Sequence, residues 1–200
     1  MRRHTFRFVT PLTVAFALSQ PGPAHADHVT PPAVPVAIQV PGGNKAFLKG
    51  AAVGTQDYIC LPSGSGFAWT LFGPQATLFD EHDEQIITHF LSPNPVENGR
   101  PRVTWQDSRD TSEVWGMAIA SVSVEPGAIP WLLVEVVGAQ DGPTGGDELS
   151  DTTFVQRLNT AGGVAPSAGC TQSTDVGSTA LVPYSADYFF YKATKRISSR

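Results

Sequence analysis

Turn signals recur along this chain at short and regular intervals. Clusters of Pro, Gly, Asn and Ser separate short runs that are rich in β-branched and aromatic residues, about every 8 to 12 residues. No stretch keeps the apolar period of about 3.6 residues that a helix packed on a core requires. The pattern therefore predicts an all-β protein, an antiparallel β-sandwich or barrel that is jelly-roll-like, in a single domain.

Several individual strands can be predicted from this pattern. The strongest cover residues 114–124 and 129–137, and a Glu-Pro-Gly turn separates them. Residues 76–79 and 86–90 are typical of a hairpin with an acidic tip. Residues 36–40 alternate enough to predict a first strand.

The N-terminus has the order of a secretory signal peptide. Arginines at the start precede an apolar run over residues 8–18, and the small residues Ala24 and Ala26 follow. The apolar run is too short for a bilayer, which takes about 20 residues. We expect residues 1–26 to be cleaved after Ala26, and the protein to be secreted or periplasmic without stable membrane insertion.

The mature chain, residues 27–200, has the length of one ordinary domain. Three prolines predict an extended arm over residues 27–35, and the polar, basic residues 193–200 predict a frayed tail. The chain has 13 Lys and Arg against 18 Asp and Glu, and cleavage would remove three of the arginines. An acidic surface of this kind argues against nucleic acid as a partner.

Two cysteines, Cys60 and Cys170, lie in the exported part of the chain. Disulfides persist outside the cytoplasm, and two cysteines allow one intramolecular pairing. The sequence therefore predicts a Cys60–Cys170 disulfide. A cysteine metal site is the alternative, but it would need His or further Cys nearby in sequence.

Histidines and acidic residues are the candidate metal ligands. The segment 80–84 offers carboxylates and His82, but it lacks the spacing of a calcium loop. His28, near the expected new N-terminus, is a weak copper candidate. We assign no cofactor and no metal ligands, and divalent-metal binding stays open as an alternative function.

His89 and Arg157 are the candidate catalytic groups. Strand alternation places His89 on the same face as Ile87, within an apolar strand. Arg157 is a charge inside a strand, where it can clamp an anion or pair structurally with Asp187. Further polar and aromatic residues are candidate ligand contacts: Gln56, Tyr58, Trp105, Gln156, Asn159, Tyr184 and Tyr188.

Familiar enzyme signatures are not found. The sequence has no G-x-S-x-G elbow of a serine hydrolase, although a triad needs no such motif. No P-loop is present, and no G-x-G-x-x-G follows a strand and opens a helix. Carboxylate pairs of glycosidases stay open, because their spacing is spatial.

A series of motifs in a fixed order resembles the domain of unknown function 3455 family of secreted bacterial and fungal proteins. The motifs are Gly54-Thr55-Gln56-x-Tyr58-x-Cys60, Trp69, Ala76-Thr77-Leu78-Phe79-Asp80, His89-Phe90, Trp105-x-Asp107-Ser108, Ser112-x-Val114-Trp115, Ile129-Pro130-Trp131-Leu132-Leu133, residues 154–160, Gly162-Gly163-x-Ala165-Pro166, Cys170 and residues 182–191. The resemblance covers nearly all of the mature chain and implies no established activity.

Two features qualify this resemblance. Some fungal relatives carry a malate dehydrogenase label, which this sequence does not support because the dinucleotide-binding βαβ unit is missing. Residues 91–95, Leu-Ser-Pro-Asn-Pro, stand where the family resemblance leads us to expect Gly-Pro-Thr-Trp. A site lined by this loop would differ here.

Two classes of function remain. The first is a non-catalytic binding or cell-envelope protein whose ligand is a small molecule, a glycan or a metal. The second is an extracellular hydrolase or lyase with His89 as acid or base, Arg157 as anion clamp and Asp187 orienting one of them. Convergence of these three groups in one polar pocket would favour the enzyme.

Overall fold

The computed structural model of the protein describes residues 29–194. Eight strands follow one another in the order of the sequence, with three short 3₁₀ turns between or before them. The elements are η1 Val36–Ile38, β1 Asn44–Ser63, β2 Gly66–Phe79, β3 Gln85–Asn94, η2 Pro95–Glu97, β4 Arg100–Asp107, β5 Glu113–Val122, β6 Trp131–Gln140, β7 Thr152–Gly162, η3 Ser173–Asp175 and β8 Thr179–Ala193.

The strands form a closed antiparallel barrel. Each strand pairs with the next, and β8 pairs back onto β1 over its whole length, so that the described sheet has no free edge. The all-β antiparallel prediction is confirmed, and of its two alternatives the barrel is formed. The strand order is a simple up-and-down meander rather than a jelly-roll-like order.

The predicted hairpin is confirmed. Ala76 pairs with His89 and Leu78 with Ile87 across β2 and β3, and the acidic tip lies between these strands. The register shifts between Asp57 and Tyr58 where β1 meets β2. Such bulges bend and twist a strand, which helps a sheet to close.

Two apolar clusters lie on the two sides of the barrel wall. The interior cluster lies inside the barrel and contains Leu78, Ile87, Trp105, Val114, Val134, Val155 and Phe190. The outer cluster contains Ile38, Leu133, Leu158, Phe189 and Tyr191, and partly buried residues of the N-terminal segment pack against it. Strands with apolar side chains on both faces explain why their alternation is weak in the sequence.

The predicted first strand at residues 36–40 is wrong, because this segment forms the turn η1. Ile38 is fully buried in the outer cluster, and its backbone carbonyl accepts a hydrogen bond from Nε2 of Gln156 at 2.7 Å. Since β1 already pairs with β8 on one side and β2 on the other, the segment has no strand edge to join. A side chain of the barrel satisfies its backbone instead.

The ends of the chain fall only partly within the described residues. The predicted signal peptide, residues 1–26, lies outside them, as do residues 195–200 of the predicted frayed tail. The first two residues of that tail are ordered by hydrogen bonds: Ala193 ends β8, and the amide of Thr194 donates to Gly43 O at 2.8 Å. No helix in residues 29–194 has the length and apolar character needed to cross a bilayer.

The two ends of the barrel differ. At one end Leu149, from the connection between β6 and β7, is fully buried in the interior cluster and closes the barrel. Its amide donates to Oγ of Ser112 at 3.1 Å. At the other end the predicted disulfide is formed between Cys60 in β1 and Cys170, 110 residues later, in the connection between β7 and β8.

Candidate ligand site in the barrel interior

A cavity of about 470 Å³ occupies the barrel interior towards the end that carries the disulfide. Its inner wall holds the buried side chains of Gln56, His89, Trp105 and Tyr188. Its mouth is more exposed, and Leu71 there is 52% exposed. The volume lies within the usual range of small-molecule sites, roughly 300 to 1,000 Å³.

Strand alternation brings these inward residues together from distant parts of the sequence. Gln56 and Tyr58 lie on β1, His89 on β3 and Trp105 on β4, while Arg157 lies on β7. His89 pairs directly with Trp105 in the sheet, and Arg157 pairs with Tyr188. Because every second residue of a strand points into the barrel, a closed meander directs side chains from all eight strands into one interior.

His89 is fixed in one tautomer. Its Nδ1 lies 2.8 Å from the backbone carbonyl of Thr104, and a carbonyl oxygen only accepts, so Nδ1 carries the proton. Nε2 then has a free lone pair. The pKa of His89 is lowered to about 3, chiefly by burial; the charge of Arg157 acts in the same direction, and the hydrogen bond to the Thr104 carbonyl acts against both. The imidazole is therefore neutral at pH 7.

Arg157 supplies a positive charge to the cavity wall. Its Nη2 and Nε donate to the carbonyl of Pro130 at 2.9 and 3.3 Å, and within residues 29–194 it has no carboxylate partner. Its charge favours the deprotonated form of the surrounding groups and thus acts to lower the pKa of Tyr58, Tyr184 and Tyr188 as well as of His89.

The tyrosines in and behind the cavity wall stay protonated. Burial raises the pKa of Tyr58, Tyr184 and Tyr188 above the usual value, and this effect outweighs the charge of Arg157. The hydroxyl of Tyr58 donates to Gly163 O at 2.7 Å, and those of Tyr184 and Tyr188 lie 3.2 Å apart. Tyr184 does not line the cavity but lies behind Tyr188.

Two unpaired donors lie in residues of the cavity wall. Among residues 29–194, Nε2 of Gln56 and Nε1 of Trp105 are buried without a hydrogen-bond partner. Gln56 is 2% exposed and Trp105 is 1% exposed. Both nitrogens are closed off from solvent, and the Gln56 side chain lies beside the hydroxyl of Tyr184, so neither nitrogen faces the open space of the cavity.

Besides Tyr184, three further predicted candidates do not join the site. Gln156 faces the outer cluster, where it donates to Ile38 O and accepts from Tyr191 OH. Asn159 and Asp187 lie on the outer surface, where Nδ2 of Asn159 donates to Asp187 at 2.9 Å. Asp187 also forms an ion pair with Lys49 at 3.2 Å.

The predicted Arg157–Asp187 pair is therefore not formed. In the register of β7 and β8, Asp187 is opposite Leu158, one residue from Arg157, and so points to the other face of the sheet. No Asp or Glu is found among the residues that line the cavity. His89 and Arg157 converge as the enzyme hypothesis required, but the carboxylate does not.

Metal ligands are not clustered in the part of the chain described. No three His, Cys, Asp or Glu side chains of residues 29–194 lie together as a metal site. At the acidic tip, Oδ1 of Asp80 accepts from the amides of His82 and Glu84 at 2.9 and 3.0 Å, and Arg109 pairs with Glu84. His28 lies outside the described residues.

Gly116 and Pro130 also belong to the site, although the sequence analysis did not select them. A Cβ on Gly116 would lie 2.5 Å from Val134 and 2.8 Å from the ring of Trp105. A glycine inside a strand pattern signals such a close approach and points to this position. No signal marks Pro130, because it contributes a backbone carbonyl.

The fold and the site define an eight-stranded antiparallel meander barrel with one disulfide and a partly polar interior cavity. The family model described as "Protein of unknown function (DUF3455)" matches residues 41–192. The chain therefore belongs to the domain of unknown function 3455 family, and the predicted resemblance is confirmed. No curated protein and no solved structure matched the chain.

Proposed function

We propose that this protein is a non-catalytic binding protein that holds a small organic molecule in the interior cavity. The observation that carries the proposal is the convergence of Arg157, His89, Gln56 and Tyr188 on one cavity with otherwise largely apolar walls. A few polar groups in an apolar concave site are typical of small-molecule binding. Barrels of this size commonly hold one small ligand in their interior.

The geometry supports binding over acid–base catalysis. General acid–base groups work best with a pKa near the operating pH, whereas the pKa of His89 is lowered to about 3 by burial. Its Nδ1 is also bound to the Thr104 carbonyl rather than to an orienting carboxylate. His89 is thus suited to accept a hydrogen bond through Nε2 without exchanging a proton.

We further propose that the protein works outside the cytoplasm, secreted or in the periplasm. The signal-peptide pattern of residues 1–26 supports this location. The Cys60–Cys170 disulfide supports it too, because disulfides are rare in reducing compartments. Residues 27–200 would then be the working form, with a ligand taken from outside the cell or from the envelope.

Blocking the mouth of the cavity tests the proposal. The fluorescent probe 1-anilinonaphthalene-8-sulfonate should bind the mature protein, and Ala118→Trp should abolish the binding because Ala118 lines the mouth. Ile119→Trp is the matched control, since Ile119 is 45% exposed and does not line the cavity. Probe binding that is absent, or equal in both variants, would overturn the proposal. Native mass spectrometry of protein from its own host would then give the mass of the natural ligand.

A further inference from the structure

We infer that the ligand of the interior cavity is an organic carboxylate with an apolar body, and that its carboxylate binds Arg157. This inference rests on the proposed function and narrows it to a chemical class. Two features of the cavity lead to it: the guanidinium of Arg157, which has no carboxylate partner among the described residues, and the apolar wall.

Arg157 is the one guanidinium in the cavity wall without an anionic partner among the described residues. Arg102 also lines the cavity, but its Nε and Nη2 donate to Glu97 at 2.7 and 2.6 Å. No Asp or Glu lines the cavity, and the tyrosines around Arg157 stay neutral. A partly buried positive charge without a counter-charge raises the free energy of the empty site. An anionic ligand would supply the counter-charge and would therefore be favoured over a neutral one.

The donors of the cavity match a carboxylate. Nε and Nη2 of Arg157 donate to the Pro130 carbonyl, which orients the guanidinium, and the hydroxyl of Tyr188 lies beside it. The guanidinium has more N–H groups than these two acceptors use, so donors remain for a ligand. The planar guanidinium fits the two oxygens of a carboxylate.

The remaining wall matches an apolar body. Leu71, Leu91, Met117, Leu132 and Val134 line the cavity between its mouth and Trp105. A volume of about 470 Å³ exceeds what an inorganic anion needs, since one water occupies about 30 Å³ in the liquid. A free phosphate or sulfate would leave these walls without contacts, whereas an organic acid would cover them.

Matched pairs of probes test the class of ligand. 2-Naphthoate and 2-naphthamide share their shape, as do decanoate and decanamide, and differ in charge. Isothermal titration calorimetry on the mature protein should show that each carboxylate binds about 10- to 100-fold more tightly than its amide. This is the range for a hydrogen bond to a charged group.

Variants of Arg157 test whether this residue causes the preference for the carboxylate over the amide. Arg157→Gln should remove the preference for the carboxylate, while Arg157→Lys, which keeps the charge but not the fork, should retain part of it. Arg100→Gln is the control, because it removes one positive charge from β4 outside the cavity and should change nothing. If Arg157→Gln does not fold, the Lys variant and the wild-type pairs still decide the question.

The outcomes separate this inference from the proposed function. Equal affinity for carboxylates and amides, or a preference that survives in Arg157→Gln, would overturn the inference and leave a neutral ligand as the occupant. If no probe binds, and 1-anilinonaphthalene-8-sulfonate does not bind either, the proposed function itself fails. An anion preference for phosphate over every organic acid would also overturn the inference.

Discussion

The imidazole of His89 lies parallel to the indole of Trp105, with the ring centroids 4.5 Å apart and 8° between the planes. Tyr188 contacts both rings edge-on, with centroid distances of 5.2 Å to His89 and 5.9 Å to Trp105. These three rings form the inner end of the cavity. A change in the protonation of His89 or in the position of Trp105 should therefore affect both stability and ligand binding.

Acid should destabilise the protein through His89. In the unfolded chain His89 takes up a proton near its ordinary pKa of 6.5, whereas in the folded protein burial lowers the pKa to about 3. The unfolded state thus binds more protons between these values, and stability is lost as the pH falls from 6.5 towards 3. The free energy of unfolding should fall by up to about 1.4 kcal/mol per pH unit from this group.

Urea unfolding of wild type and His89→Asn at pH 7 and pH 5 measures this effect. Asn cannot titrate and keeps a donor for the Thr104 carbonyl, so the variant should lose less stability between the two pH values than the wild type. Other titrating groups are common to both proteins. Parallel loss of stability in the two proteins would show that His89 is not held neutral by the fold.

Gly116→Ala should disturb the ring stack. A Cβ at this position would lie 2.8 Å from Cζ3 of Trp105 and 2.5 Å from Cγ1 of Val134, so one of them must move. Overpacking of this kind costs about 1 to 3 kcal/mol. Thermal unfolding and the near-ultraviolet circular dichroism of the tryptophans would both report the change.

Gly42→Ala is the control for Gly116→Ala. A Cβ at Gly42 meets no atom within 4 Å, and this residue has no positive φ. Its stability should stay within about 0.5 kcal/mol of wild type, as for most surface changes. If the two alanine variants were equally stable, Gly116 would not lie as close to Trp105 and Val134 as the structure has it.

Loss of the disulfide should destabilise the protein at the end of the barrel towards which the cavity lies. Cys60–Cys170 ties the connection between β7 and β8 to β1, and the same connection receives hydrogen bonds from Tyr58 at Gly163 and from Trp69 at Ala168. Replacing both cysteines by Ser should lower the free energy of unfolding by about 2 to 4 kcal/mol. Urea unfolding with and without reductant measures this. Reductant should affect only the wild type, and an unchanged midpoint in the double variant would contradict the expectation.

Substitutions of two buried glutamines should have different effects, one on the free energy of unfolding and the other on probe binding. Gln156→Leu removes the partner of both Ile38 O and Tyr191 OH on the outer side of the wall and should cost about 1 to 3 kcal/mol of stability. It should leave probe affinity unchanged, because Gln156 does not line the cavity. Gln56→Leu should instead change probe affinity, because Gln56 is part of the cavity wall. Titration with 1-anilinonaphthalene-8-sulfonate measures the probe affinity of both variants, and urea unfolding measures their stability. A loss of probe affinity in Gln156→Leu would argue against a site confined to the barrel interior.

Alternation predicted part of the site correctly. It placed His89 with Ile87 on one face, as the barrel has them. It did not predict that Asp187 faces away from Arg157, because that depends on the register between β7 and β8. Register is a property of two paired strands, and neither strand alone contains it.

The sequence by itself determined the all-β class, the hairpin around residues 80–84 and the pairing of two cysteines, because turn chemistry, strand alternation and a single possible disulfide are local or countable properties. The tertiary structure alone decided that the sheet closes into a barrel, that residues 36–38 leave the sheet and cover its outer face, and that Arg157 has a cavity instead of a carboxylate beside it. The physical reason is that closure of the barrel pairs β8 with β1, two strands more than a hundred residues apart in the sequence. This long-range pairing determines which residues share the interior, and it leaves no strand edge for another segment to join.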